Sequence, residues 1–407
     1  MRFTFIHAAD LHIDSPLAGL GLKDKAVAER FARAGRRAVE ALVAETIASE
    51  AAFLIIAGDV FDGDWKDVTT GLFFVRAISD LHRAGIPVYI VKGNHDAESV
   101  MSRDLPYPGT VHVFPSGKAA SLHLEPHRVT LHGRSFPHRL TGDFVQTYPA
   151  RRDGWLNIGV LHTSLDGSRG HAGYAPCTID DLKGFGYDYW ALGHVHAAEI
   201  VSRDPWIVFP GNLQGRSIRE TGPKGAMRVT VEDGRIVEVS PLVLDGARWA
   251  HLALDIAGVN DEAEITARID AALAETHREG DGRPLAVRVS LQGVTPLHDR
   301  LVARRDDMQD EVRAAGFRVA GDCWIEQFRI RTRPPQRAPT AASSDSLDID
   351  ELLREAANDP EFAAALERLV KDIEDRLPKD LRTKLRDADA LAALGDDARA
   401  LLAGARP

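Results

Sequence analysis

Two short runs in which every residue is apolar, Phe53-Leu54-Ile55-Ile56-Ala57 and Pro87-Val88-Tyr89-Ile90-Val91, do most to limit how this chain folds. A strand that alternates polar and apolar residues can leave one face in water. Runs like these must be covered on both faces, which is the environment of a parallel sheet flanked by helices. The stretch between them, Thr69 to Ala84, carries apolar residues at helical spacing, as does the Ala-rich stretch Lys25 to Glu50 before the first run. Arg2 to Ala8 reads as an earlier strand. This alternation of strand and helix implies right-handed parallel crossovers and an α/β sandwich.

Past this rhythm the pattern changes. From about Val111 to Leu131 short strands alternate with turns, and continuous apolar strands return at Leu156 to Leu161 and Tyr187 to Leu192. Ile207-Val208-Phe209 and Ala226 to Val239, with Asp233-Gly234 as a hairpin signal, read as closing strands. A length of 407 residues is too great for one ordinary domain. A second unit begins near Ala247 in the order strand (His251 to Ile256), helix (Asp261 to His277), strand (Leu285 to Leu291), helix (His298 to Ala315), strand (Trp324 to Arg331). The expected division is therefore a catalytic domain over 1–245, a small α+β domain over 246–332, a Pro- and Ser-rich linker over 333–346 and a helical region over 347–407. In that last region Asp359-Pro360 and Pro378 interrupt two or three amphipathic helices.

Composition narrows the class. At 44% hydrophobic and 27% charged residues the chain reads as soluble and globular, and no apolar run approaches the roughly 20 residues that cross a bilayer. Its first residues lack the organisation of a signal peptide. Cys177 and Cys323, the two cysteines, form no pair motif, which fits a reducing cytoplasm and excludes a thiolate metal scaffold. A net charge of −10 argues against coating nucleic acid by bulk electrostatics. It leaves a nuclease open, since bound metal neutralises part of that charge.

The chemistry lies at strand ends. Asp10-Leu11-His12 follows the first strand, Gly58-Asp59-Val60-Phe61-Asp62 the second, and Gly93-Asn94-His95-Asp96 the third. His162 closes the strand through Leu161, and Gly193-His194-Val195-His196 follows Tyr189-Trp190-Ala191-Leu192. Ligands of an open α/β sheet gather at the carboxyl ends of its strands, so these groups can converge. In Asp10-x-His12 and His194-x-His196 the paired side chains point the same way if the backbone stays extended. Oxygen and imidazole donors without thiolate suit Mn, Fe or Zn better than Mg or Ca. Gly58, Gly93 and Gly193 permit tight turns and close approach of backbone. Taken singly each motif is a turn or a chance pairing; five in order at five strand ends are not.

With these residues the chain resembles the calcineurin-like metallophosphoesterase superfamily. Its closest likeness is to the DNA-repair exonuclease branch, the SbcD-like nuclease subunits and their YhaO-like relatives. His7-Ala8-Ala9-Asp10-Leu11-His12, the Asp14-Ser15-Pro16-Leu17 after it, and Pro210-Gly211-Asn212-Leu213-Gln214-Gly215-Arg216 are similar to the YhaO-like members. The resemblance covers about residues 1–245. It implies the superfamily's β-sandwich flanked by helices, followed by a capping domain and a helical tail. It further implies that Asp10, His12 and His196 hold one metal, that Asn94, His162 and His194 hold another, and that Asp59 bridges them. His95 matches a histidine beside the scissile phosphate, and Asp62 a position that supports the site, by orienting His95. Arg216 is a candidate to bind substrate.

Two cations about 3.5–4 Å apart lower the pKa of a bridging water and clamp the attacking and leaving oxygens, and a carboxylate such as Asp59 would fix their spacing. His95 is then the candidate general acid. Two divalent ions are expected, Mn2+ first, with Fe, Zn or Mg as alternatives. The resemblance implies DNA as substrate, an SMC-like coiled-coil ATPase as partner, a homodimer, and work in the cytoplasm away from membranes. Under this reading Arg329, Arg331, Arg333 and Arg337 line a phosphate groove, unless they are solvated edge charges, and the C-terminal helices dock on the ATPase, unless they pack on their own chain. Two other readings share the chain: a phosphomonoesterase, nucleotidase or cyclic-nucleotide phosphodiesterase with the same metal core, and a regulatory subunit with a degenerate site. The intact ligand set argues against the last.

Overall fold

The structure is a computed structural model that describes residues 1–15, 25–62, 68–98, 105–137, 144–165 and 175–335, with Glu361, Arg368 and Lys371. Pro16, Leu17, Arg337, most of the expected linker, and the expected C-terminal helices apart from those three helical residues lie outside this set. The contacts divide the chain into a first unit, Met1–Leu252 with Asp270–Val289 and Arg313–Phe328, and a second, Ala253–Ile269 with Ser290–Val312 and Arg329–Pro407.

The first unit is built on two six-stranded sheets. One takes β1 (Arg2–Ala8), β2 (Leu54–Ala57), β3 (Val88–Val91), β4 (Val111–Val113), β11 (Gly225–Glu232) and β12 (Arg235–Val243) in the order β12-β11-β1-β2-β3-β4. The other takes β5 (Ala120–Leu124), β6 (Val129–Gly133), β7 (Leu156–His162), β8 (Tyr189–Gly193), β9 (Glu199–Arg203) and β10 (Trp206–Phe209) in the order β5-β6-β7-β8-β10-β9. The two apolar runs pair in parallel, Ile55 opposite Tyr89, and β1 pairs in parallel with β2. β7 and β8 repeat that geometry in the second sheet, with His162 opposite Gly193. The ligand-bearing ends of each sheet therefore face one way.

Alternate residues go to opposite faces, as strand geometry requires. Phe5, Phe53 and Ile55 join Ile158, Val160, Tyr189 and Ala191 in the core between the sheets. Their neighbours Ile6, Leu54 and Ile56 pack outward against Val39 and Leu42 of α1 (Lys25–Ala48) and Phe74, Ile78 and Leu81 of α2 (Val68–Arg83). On the far side of the second sheet Leu161, Trp190 and Leu192 meet Leu182 of α4 (Ile179–Gly184). Fully burying a side chain of this size contributes about 1.5–3 kcal/mol, so both faces of each sheet carry weight. Asp233 and Gly234, both at positive φ, turn β11 into β12 as the Asp-Gly signal requires.

A third sheet has the order β13-β14-β15, from Arg248–Asp255, Leu285–Val294 and Cys323–Arg333. Its helices are α5 (Glu262–Glu279), α6 (His298–Ala303) and α7 (Arg305–Val319). The single helix expected over His298 to Ala315 is thus two. Arg304 leaves helical geometry between them, and its guanidinium pairs with Glu262, Asp307 and Glu311. β9 and α4 were not expected from the sequence. The first is a short edge strand bearing charge at both ends, and the second is one turn and a half held by a Thr178–Asp181 capping box.

Candidate metal centre

Pairing continues past the strand ends and positions the first ligands. Asp10 N donates to Gly58 O, His12 N to Asp59 O and Ile13 N to Val60 O, each at 3.0 Å. The chain after β1 thereby stays locked to the chain after β2. The sheets are stitched at the same place, because His194 N donates to both oxygens of Asp10, at 3.1 and 2.9 Å.

The backbone is not extended here. Asp10, His12, Asp59 and His194 sit at φ of 51°, 41°, 53° and 99°. L-residues rarely adopt this region, and several together at one spot mark backbone bent for a purpose. The extended geometry anticipated for the two paired motifs therefore does not occur. Asp10 and His12 still meet, but His194 and His196 go to different places.

Asp10, His12 and His196 bring ligand atoms within 4.8 Å of one another, and Asp59, His162 and His194 form a second such group. Asp59 lies between them, with Oδ2 3.2 Å from His162 Nε2 and 3.9 Å from His12 Nε2. Asn94, on the first turn of the short helix α3 (Asn94–Glu98), places Oδ1 3.1 Å from His162 Nε2. All of these side chains are buried except that of His196, which is half-buried.

Glycines make this closeness possible. A Cβ on Gly93 would lie 2.1 Å from Asp59 Oδ1, and one on Gly193 would lie 2.0 Å from Ala57 O. Only Gly58 also needs its positive φ, 97°, and a Cβ there would meet His162 Nδ1 at 2.4 Å.

The rings are aimed from behind. His162 Nδ1 donates to Ala57 O at 2.9 Å, His12 Nδ1 to Asp62 Oδ1 at 2.6 Å and His196 Nδ1 to Glu220 Oε1 at 2.7 Å. With Nδ1 so engaged, the rings turn their Nε2 atoms inward, with lone pairs available once a ring is neutral. Those of His12 and His196 then face each other across 3.2 Å, which calls for a cation between them. Burial is the largest single influence on His162 and would depress its pKa, but the Asp59 charge and hydrogen bond, the Asp10 charge and the Ala57 carbonyl together raise it to about 9. Burial likewise is the largest influence on Asp59 and disfavours its charge, yet the charge and hydrogen bond of His162, with His12 and His95, together hold its carboxyl well below the usual range. Groups that hold charge so tightly while buried are a site for cations, which compete with the proton for the same lone pairs. The residues fit two divalent ions.

The remaining candidates surround this cage. His95 is tied in by its backbone, N to Asp59 Oδ1 at 3.0 Å, while its side chain is 42% exposed. Asp62, expected to support the site by orienting His95, supports it through His12, and its Oδ1 is 4.0 Å from His95 Nδ1. Arg216 places Nη1 3.3 Å from Asp62 and 3.4 Å from Ser15 Oγ, and Nη2 3.5 Å from Glu220. His7 and His132, read as structural, are buried in hydrogen bonds to Tyr189 and Leu192 and to Ser121 and Asn157.

The sequence reading gave no role to two acidic residues, Glu220 and the Asp96 that closes Gly93-Asn94-His95-Asp96. Glu220 accepts from His196, from Asn212 Nδ2 at 2.9 Å and from Arg216 N at 2.7 Å. Nothing near it marks a strand end. The signal on offer was its position just past the segment Pro210 to Arg216. Asp96 accepts from the backbone N of Val60, Phe61 and Gly93, joining the turns that carry Asp59 and Asn94. Burial, then the Asp59 charge, push its carboxyl up to about 6.

The sequence profile of the calcineurin-like phosphoesterases matches residues 3–198, and that of the middle domain of the metallophosphoesterase YhaO matches residues 249–333. The metallophosphoesterase YhaO of Bacillus subtilis (strain 168) is 33% identical over 298 residues, which are 72% of this chain and 72% of that one. The DNA double-strand break repair protein Mre11 of Methanopyrus kandleri is 22% identical over 391 residues, 86% of this chain and 75% of its own length. With the cage in place and these likenesses beside it, the chain belongs to the YhaO branch of the calcineurin-like metallophosphoesterases and is a metal-dependent phosphoesterase.

Proposed function

We propose that this enzyme hydrolyses phosphodiester bonds in DNA with two divalent ions, Mn2+ foremost, as an exo- or endonuclease of DNA repair. The observation that carries the reading is the likeness to a DNA double-strand break repair protein over 86% of the chain, well beyond the cage itself. Oxygen and imidazole donors without thiolate favour Mn2+. A homodimer working with an SMC-like ATPase is part of the same proposal, on the resemblance of the motifs to the SbcD-like nuclease subunits. A cytoplasmic setting accords with two buried cysteines that form no disulfide, and among the described residues no helix is long and apolar enough to cross a membrane.

When bound, two such ions neutralise charge on the phosphoryl oxygens and make water a strong nucleophile at neutral pH. The chain's own part is placement. Asp59 stands between the two ligand groups and sets their separation. Asp10, His12 and His196 hold one side, and Asn94, His162 and His194 the other. His95 lies outside the cage with its ring toward solvent, where it gives a proton to the leaving oxygen.

The test is metal-dependent digestion of linear duplex and single-stranded DNA, set against hydrolysis of a chromogenic monoester and diester. DNA cleavage supported best by Mn2+ is the expected result. Rapid monoester turnover without DNA cleavage would overturn the DNA assignment in favour of a phosphomonoesterase.

A further inference from the structure

His12, His162 and His196 are not backed alike. His162 Nδ1 meets a neutral acceptor, the Ala57 carbonyl. His12 and His196 meet carboxylates, Asp62 at 2.6 Å and Glu220 at 2.7 Å. A carboxylate acceptor makes a hydrogen bond roughly twice as strong as a neutral one and raises the basicity of the opposite ring nitrogen. Both carboxylates are fixed in turn. Arg216 reaches from Asp62 to Glu220, and Glu220 also takes the amide of Asn212 and the backbone N of Arg216. Arg216 Nη2 also lies 3.3 Å from His196 Nδ1, a contact of two donors once Glu220 holds the Nδ1 proton. Net charge does not decide the matter, because Arg216 and Lys224, whose Nζ donates to His196 O, offset two of the carboxylates nearby. The acceptor directly behind each ring does.

We propose that Asp62 and Glu220, braced by Arg216, are positioning residues that make the Asp10–His12–His196 group the tighter of two unequal metal sites. The group of Asn94, His162 and His194, which has an amide ligand and a carbonyl-backed ring, is the weaker and fills second. Arg216 is on this account a brace between carboxylates. The inference rests on the two-ion reading above.

It is tested by titrating the metal-free full chain with Mn2+ and following free Mn2+ by its electron paramagnetic resonance signal, a readout independent of turnover. Two steps are expected, His196→Ala removing the tight one and His162→Ala the weak one. Glu220→Gln should weaken the tight step by about tenfold or more and leave the weak step within about twofold. Asp62→Asn acts on the other ring and should move the same step, which keeps the test open if Glu220→Gln does not fold. Two ions bound with both constants intact in Glu220→Gln and Asp62→Asn would overturn this inference alone. So would loss of the tight step in His162→Ala. A wild-type chain that binds no second ion would overturn the two-ion reading and this inference with it.

Discussion

The first sheet reaches the cage mainly with oxygen. Asp10 follows β1, Asp59 follows β2 and Asn94 follows β3, with His12 as the single imidazole among them. The second sheet reaches it with nitrogen alone, through His162, His194 and His196. Asp and Asn are short, so the backbone of the first sheet must come to the site itself. It does so on left-handed residues and beside glycines whose missing Cβ lets neighbours touch. Imidazole reaches further but swivels, so the second sheet can stand back, provided something holds each ring. For His162 that something is Ala57 O, a carbonyl of the first sheet. One sheet supplies proximity and the other supplies reach, and neither completes the site by itself.

This contrast can be broken at several points. The largest effect is expected at Asp59, the oxygen ligand between both groups. Asp59→Asn should abolish Mn2+-dependent hydrolysis of a chromogenic phosphodiester, whereas His162→Ala should still bind one ion. An Asp59→Asn enzyme at the wild-type rate would remove the bridge from the first sheet. Next is His95, held by the first sheet but outside the cage. His95→Ala should bind Mn2+ as the wild type does and lose about 10²–10⁴-fold in rate. Unchanged turnover would remove it from proton transfer.

Proximity itself is tested at Gly193, where a Cβ would press on Ala57 O across the seam. Gly193→Ala should cost about 1–3 kcal/mol in denaturant unfolding. Gly184→Ala, with nothing within 4 Å, should stay within about 0.5 kcal/mol. Equal costs at the two positions would mean that the seam is not tight.

The smallest effect concerns His7, a ring on β1 that bonds Tyr189 OH and Leu192 O on β8. Burial lowers its pKa from 6.5 to about 3, so the folded chain keeps it neutral where the unfolded chain takes a proton. Its contribution to stability is therefore complete above pH 6.5 and lost as the pH falls toward 3, by about 1.4 kcal/mol per pH unit. In chelator, His7→Gln should flatten the fall in stability from pH 7 to pH 5 by about 2 kcal/mol relative to wild type. An unchanged slope would show that this ring titrates freely.

The cage was largely legible because its ligands stand where hydrophobic periodicity ends. Phe53 to Ala57 announces a buried parallel strand, and Gly58-Asp59 after it can only lie at a carboxyl edge. The apolar runs and the two clear helices gave the sandwich for the same reason. What stayed hidden depends on turns that periodicity does not encode. Positive φ at Asp10, His12, Asp59 and His194 bends the backbone at the ligands themselves, where periodicity shows only that a strand has ended. Glu220 lies in an irregular loop between β10 and β11, and its role comes from tertiary contact with His196, Asn212 and Arg216. The break at Arg304 was equally invisible, since helical spacing runs through it and only its ion pairs mark the interruption.

The neighbour of β1 on its outer side is β11, paired antiparallel with Phe5 opposite Val229. More than two hundred positions separate these partners along the chain. At a translation rate of about 5–20 residues per second, the first strand waits roughly 10–45 seconds for its edge to be closed. Glu220, the acceptor behind His196, is also made late. A growing chain therefore passes through a long interval in which Asp10, His12, Asp59 and Asn94 exist but the cage does not. Metal capture thus waits for Glu220 and β11, and a chain stopped at Arg219 should retain no Mn2+ on gel filtration.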